Sequence, residues 1–149
     1  MSFLLKLEFN NKIKNAVSKD IALERLGDIN KIAELHPKVK SVENMYDNSW
    51  KWTMSPSGAR GSYFDIVYGC SYTIDKKTSK ISWLPVEGVG NAVVSGHWEV
   101  YDKDAEIELN ISINVPFPEV FSTIANQIAN KVFSLSMKKH LKQLEDLLK

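Results

Sequence analysis

The chain has 149 residues, 44% of them hydrophobic and 25% charged, which excludes a disordered polypeptide and suits one folded domain spanning 1–149. The 19 basic and 18 acidic residues leave a net charge of +1, and only Arg25 and Arg60 of the basic set are arginines. That balance argues against a protein built to hold nucleic acid, and none is expected as a partner.

The N-terminal segment alternates: Phe3, Leu5, Leu7 and Phe9 share one face, Lys6 and Glu8 the other, which predicts a half-buried strand. Those two charges interrupt the apolar run too early for a signal-peptide core, and no 18-residue apolar stretch follows anywhere. Cys70 is the single cysteine, so neither an internal disulfide nor a cysteine-based zinc site can be assembled. These features together lead to the expectation of a cytoplasmic protein. Ser18 is placed to cap a short helix through Leu26, and Gly27 suits a left-handed residue ending it. Asp28 then caps a second helix carrying Ile29, Ile32, Ala33 and Leu35, which Pro37 stops.

From Val39 to Val115 the period changes to two. Turn signals at Asp47-Asn48, Ser55-Pro56-Ser57-Gly58, Asp75-Lys76-Lys77-Thr78, Glu87-Gly88-Val89-Gly90 and Asp102-Lys103-Asp104 divide six strands, an antiparallel meander. The last strand alternates most cleanly, with Ile107, Leu109, Ile111, Ile113 and Val115 on one face and polar residues on the other. Before it, Val94, Gly96, Trp98 and Val100 face inward, with His97 and Glu99 outward. Phe64, Ile66, Tyr68, Cys70, Tyr72 and Ile74 form another inner face, as do Trp50, Trp52 and Met54, and Ile81 and Trp83.

Pro118 suits the first turn of a helix, and residues 118–149 hold no other proline and no glycine, which predicts a helix about 48 Å long. Its first half has an apolar stripe of Phe121, Ile124, Ala125, Ile128, Val132 and Leu135. The second half has Phe133, Met137, Leu141, Leu144 and Leu148, turned away from the first stripe by about 150°. The second stripe is expected to pack on the two short helices, with a homodimer contact as the alternative. Lys138-Lys139-His140-Leu141-Lys142 reads as a solvated basic face near a helix C-terminus, so membrane contact is at most peripheral.

A seven-stranded sheet with one dry face needs a cover, and the last helix is the only large one available. The order strand, two helices, six strands, long helix resembles the START-like, Bet v 1-like superfamily over nearly the whole chain. The resemblance is carried by Leu26-Gly27-Asp28 through His36-Pro37-Lys38-Val39, by the Gly-x-Trp strand Val94-Ser95-Gly96-His97-Trp98-Glu99-Val100, and by the helix after Val115-Pro116-Phe117-Pro118. The chain also resembles a small thermoacidophile archaeal branch with a fatty-acid-carrier role. The resemblance implies an α+β helix-grip fold, a curved antiparallel sheet wrapped around the C-terminal helix, with a hydrophobic cavity between them. It implies carriage of a hydrophobic small molecule, a long-chain fatty acid or similar lipid.

The aromatic dry faces are compatible with a pocket of roughly 300–1,000 Å³. The residues expected to contact a ligand are Trp50, Trp52, Arg60, Phe64, Ile66, Tyr68, Tyr72, Trp83, Trp98, Leu109, Ile111, Phe121, Ile124 and Ile128. Arg60 is the first choice to meet a carboxylate at the rim. Tyr68 and Tyr72 could offer hydroxyls from the inner face, and His36 sits at the mouth end of its helix. His36, His97 and His140 have no metal-type neighbour in sequence, and no nucleophile elbow, phosphate loop or carboxylate pair occurs. No catalytic residue, cofactor or metal is therefore expected, and the protein is read as a non-enzyme. The alternatives are an interaction protein of the ribosome-associated toxin type and a cyclase-like enzyme.

Overall fold

The computed structural model of the protein describes residues 3–59, 62–116, 118, 120 and 122–149, with the backbone alone at 57–59 and 62–64. The first strand, β1 (Phe3–Lys14), buries Phe3, Leu5, Leu7, Phe9 and Ile13 and turns the residues between them outward. Two short helices follow, α1 (Lys19–Leu26) and α2 (Ile29–Glu34). Ser18 Oγ accepts the Ile21 amide at 3.2 Å and Asp28 Oδ1 accepts the Lys31 amide at 3.3 Å. Each satisfies an amide that the first turn leaves free, as the sequence predicts.

Gly27 ends α1 at a φ of −86°, so the left-handed conformation expected there does not occur. Space explains the glycine instead, since a Cβ would lie 2.8 Å from Ile74 Cδ1 and 2.9 Å from the Leu23 carbonyl oxygen.

The strands continue with β2 (Val39–Tyr46), β3 (Ser49–Met54), the short β4 (Ser57–Ala59) and β5 (Ser62–Phe64), then β6 (Val67–Asp75), β7 (Lys80–Gly90), β8 (Ala92–Val100) and β9 (Asp104–Val115). Seven of them form one curved antiparallel sheet in the order β1-β9-β8-β7-β6-β3-β2. β1 returns beside β9 in an unbroken register from Phe3 opposite Val115 to Lys14 opposite Asp104. β4 and β5 make a separate hairpin, so Phe64 belongs to that hairpin and not to the strand of Tyr68 and Tyr72.

The segment Glu87 to Gly90, expected as a turn, lies within β7 as an irregularity. Tyr68 pairs with Gly90 and Cys70 with Pro85, so two steps along β6 face five along β7. Gly88 and Gly90 take positive φ values of 77° and 70° there, which explains why glycines looked like turn signals.

The chain closes with α3 (Ser122–Leu147), 26 residues and about 39 Å long; residues 119 and 121 of the first turn expected from residue 118 lie outside the described residues. Met137, His140, Leu141 and Leu144 of this helix are buried, and the following Leu148 is fully enclosed. Met137, Leu141, Leu144 and Leu148 pack with Leu23 and Leu26 of α1 and with partly buried Ile32 and Leu35, which is where the second-half stripe was expected to go. Ala125, Ala129 and Phe133 meet the Phe3–Leu5–Leu7 cluster of β1.

Of the apolar stripe expected from the first half of the helix, Ala125 faces the sheet, Phe121 lies outside the described residues, and the bulky remainder does not face the sheet. Ile124, Ile128, Val132 and Leu135 are 53–60% exposed. The small side chains of Ala125 and Ala129 take the inward positions, because α3 runs close along β1. Asn126 Oδ1 accepts the Lys6 amide at 3.3 Å and Asn130 Nδ2 donates to the Lys6 carbonyl at 3.2 Å. The Lys14 amide donates to Glu145 Oε2 at 3.1 Å. These side chains occupy backbone groups of an edge strand that would otherwise be open to pairing.

Candidate functional site

Between the concave face of the sheet, the short helices and α3 lies an apolar cavity of about 140 Å³. That is below the 300–1,000 Å³ expected, because large rings enter it from several strands. β3 supplies Trp52, β6 Tyr68, Cys70 and Tyr72, β7 Ile81 and Trp83, β8 Val94 and Trp98, and β9 Ile107, Leu109, Ile111 and Ile113. The helical side contributes Leu26, Ile29, Ile32 and His36 from the α1–α2 segment and Phe133, Met137, His140 and Leu144 from α3. The rings pack in order around the wall. Trp52 stacks on Tyr68 with centroids 6.0 Å apart, and Tyr72 tilts against Trp83 at 5.9 Å.

The register that brings these residues inward is the one read from the sequence. Trp98 is 3% exposed, with Val94 and Val100 buried beside it, while Glu99 is half-exposed and His97 approaches Glu108 on the outer face at 3.8 Å. Gly96 sits opposite Trp83, and a Cβ there would meet the Trp83 ring at 3.0 Å and collide with the Glu108 carbonyl. The Gly-x-Trp strand thus leaves room for one tryptophan while delivering another.

Of the residues expected to contact a ligand, Trp52, Ile66, Tyr68, Tyr72, Trp83, Trp98, Leu109 and Ile111 line the cavity. Trp50 does not; it packs beside the cluster of Ile29, Ala33 and Trp52. Ile124 and Ile128 do not either, being 60% and 58% exposed on the outer side of α3. Arg60, Phe121 and the Phe64 side chain lie outside the described residues.

The sequence reading placed the wrong residues of α3 on the cavity, which Phe133, Met137, His140 and Leu144 line, and missed one polar pair. A signal for the right face existed in Ala125, Ala129, Phe133 and Met137, which recur every four residues along the buried side. The pair joins residues 104 positions apart. His36 and His140 pack together with ring centroids 4.5 Å apart, and both line the cavity. The basic run around His140 is split accordingly: His140 and Leu141 are buried, and Lys138, Lys139 and Lys142 are exposed.

Burial holds the polar groups of the cavity in their neutral forms. It lowers His36 to about 3, helped by the neighbouring His140 and then Lys38. It lowers His140 to about 4, against the opposing pull of a hydrogen bond to the Leu35 carbonyl. It pushes the Cys70 thiol up to about 12 and raises Tyr68 and Tyr72 well above the usual phenol range. Cys70 Sγ lies 3.6 Å from the Val94 carbonyl and behaves as a core thiol. Trp52 Nε1 is enclosed without a hydrogen-bond partner. No group of three or more metal-type side chains occurs among the described residues.

No family model matches the chain, and no curated protein matches it. Solved structures do. The Zhui aromatase/cyclase from a Streptomyces species is 13% identical with a TM-score of 0.63, covering 97% of this chain and 96% of that one. A STAR-related lipid transfer protein from Xanthomonas axonopodis is 21% identical with a TM-score of 0.60, covering 92% and 85%. A START superfamily protein from Mycobacterium smegmatis is 10% identical with a TM-score of 0.58, covering 95% and 99%.

The chain has the helix-grip fold of these structures. Two of the three segments that carried the resemblance contribute walls of the cavity. Leu26 to Val39 forms α2 and the lead into β2, and Val94 to Val100 belongs to β8, while Phe117 of the third segment lies outside the described residues. Among the described residues no helix is long and apolar enough to cross a membrane.

Proposed function

We propose that the protein binds and carries a hydrophobic small molecule, a long-chain fatty acid or similar lipid, with part of its tail in the helix-grip cavity. The observation that carries this reading is the cavity itself, an apolar space inside the fold lined by four aromatic strands' worth of rings and closed by α3. Two structures of similar fold are named a lipid transfer protein and an aromatase/cyclase, and both names are compatible with a hydrophobic occupant. Trp52, Ile66, Tyr68, Tyr72, Trp83, Trp98, Leu109 and Ile111 are the proposed contacts for the tail.

The volume of 140 Å³ bounds what fits. That space is small against a long acyl chain, so a longer tail must displace side chains or run out of the mouth. Each buried methylene contributes about 0.8 kcal/mol, close to fourfold in affinity. Calorimetric titration with saturated fatty acids of increasing length is the test. The expected result is a steep gain while the tail fills the cavity and a shallower one beyond. Absence of binding across the series would overturn the proposal.

A cyclase-like activity is the second reading, favoured by one observation: two imidazoles face the same apolar cavity. Turnover of a polyketide-like substrate that depends on His36 or His140 would place it first.

A further inference from the structure

The hydrogen bonds around the His36–His140 pair fix which ring nitrogen carries the proton. The Lys38 backbone amide donates to His36 Nδ1 at 3.1 Å, so Nδ1 is the acceptor and the proton of the neutral ring is on Nε2. His140 Nδ1 lies 3.1 Å from the Leu35 carbonyl, which can only accept, so here the proton is on Nδ1 and Nε2 is bare. Both rings line the cavity, 4.5 Å apart by centroid with planes inclined at 43°. With each Nδ1 engaged by the backbone, the pair has one N–H donor and one lone-pair acceptor left for a ligand, in a cavity lined mostly by apolar side chains. His140 is 3% exposed, so its free nitrogen has little access to bulk water.

One common head group offers the complementary acceptor and donor. We infer that His36 and His140 form the head-group site of the cavity and take a carboxylic acid in its neutral form, the acid O–H donating to His140 Nε2 and the acid carbonyl accepting from His36 Nε2–H. This rests on the reading that the cavity takes a fatty-acid-like molecule, and it replaces Arg60 as the anchor. A carboxylate entering the cavity would leave an acceptor facing bare His140 Nε2, and its charge would be poorly solvated there. The other titratable groups around the pair favour neutrality too. Tyr68, Cys70 and Tyr72 face the cavity from β6 in their protonated forms, and Lys38 lies close to His36, where its charge opposes protonation of the ring.

A fatty acid is ionised in neutral solution, since ordinary carboxyls titrate near 4. Binding it as the neutral acid therefore takes one proton from solvent for each molecule bound, and no other atom changes hands. The test uses the intact protein with dodecanoic acid and 1-dodecanol, titrated calorimetrically in two buffers of different ionisation enthalpy. The expected result is one proton taken up per acid and none per alcohol. The acid's affinity should fall about tenfold per pH unit above neutrality while the alcohol's stays flat. A carboxyl-labelled acid should give an NMR resonance at the protonated position when bound.

Uptake of no proton, or a bound resonance at the carboxylate position, would overturn the inference while leaving carriage by the cavity intact. Failure of both acid and alcohol to bind would instead overturn the carrier reading, and the inference with it. In His140→Phe, which keeps a ring in place, the proton uptake on acid binding should vanish. Uptake that persists in that variant would also overturn the assignment. The wild-type proton count decides the matter even if the variant does not fold.

Discussion

A proton on His36 or His140 puts a charge into an apolar cavity, and the folded protein resists it. In the unfolded chain both rings titrate near 6.5, whereas in the fold they titrate at about 3 and about 4. Below about pH 6.5 the unfolded chain therefore binds more protons than the native one, and stability falls as pH falls toward 4. Above 6.5 both rings are neutral in both states and the contribution is complete. Each ring adds up to about 1.4 kcal/mol per pH unit to the slope within that window. Urea unfolding at a series of pH values should show this decline, and His36→Asn/His140→Asn should flatten it relative to the parent. An unchanged slope would mean that the rings protonate freely in the native state. Gly96 gives a second residue-scale expectation. A Cβ there would collide with the Glu108 carbonyl and press on Trp83, so Gly96→Ala should cost about 1–3 kcal/mol, checked by the same unfolding measurement.

The long helix shows how far periodicity alone carries an assignment. Both of its apolar stripes are visible in the sequence, and so is their offset. What a stripe of bulky residues does not reveal is the distance of closest approach. The helix lies against β1 through Ala125 and Ala129, and bulky Ile124 and Ile128 are left outside. Hydrophobicity ranks isoleucine above alanine, but close packing of a helix on a strand favours the smaller side chain. The strand faces were easier to read, because a period of two gives each residue only two choices and one slip would expose Trp98. The α1–α2 caps were legible for a similar reason: Ser18 and Asp28 act on amides three residues away. The His36–His140 pair was not legible, since nothing local links a helix end to a position inside a lysine run. The contrast along α3 is measurable. Leu144→Ala removes a side chain with no exposure and should cost about 2–5 kcal/mol. Ile128→Ala, at 58% exposure, should stay within about 0.5 kcal/mol. Thermal melts of the two variants check this, and a large loss for Ile128→Ala would show that the outer stripe of α3 is covered in solution.

At the scale of the whole molecule, the grip sets the size of the space it encloses. Seven strands present their dry face to one helix, and the gap is filled mostly by rings, leaving about 140 Å³. Side chains on the wall therefore act as spacers, and changing one should change the length of tail that fits. Ile111 of β9 and Val94 of β8 face each other across neighbouring strands and both line the cavity. Ile111→Ala removes three carbons from the wall and should extend the steep part of the chain-length series by about three carbons, at a cost in stability of about 2–5 kcal/mol. Bound ligand should recover part of that loss, since a molecule that binds only the native state raises its stability by mass action. Val94→Phe works in the other direction. It adds bulk to an already close-packed wall, should cost about 1–3 kcal/mol, and should shorten the steep part of the series or abolish binding. Calorimetric titration of the same fatty-acid series against the two variants checks both shifts. If the series keeps its shape in both, the tail lies somewhere other than between these strands and α3. Opposite shifts in the two variants are expected only when the wall itself measures the chain.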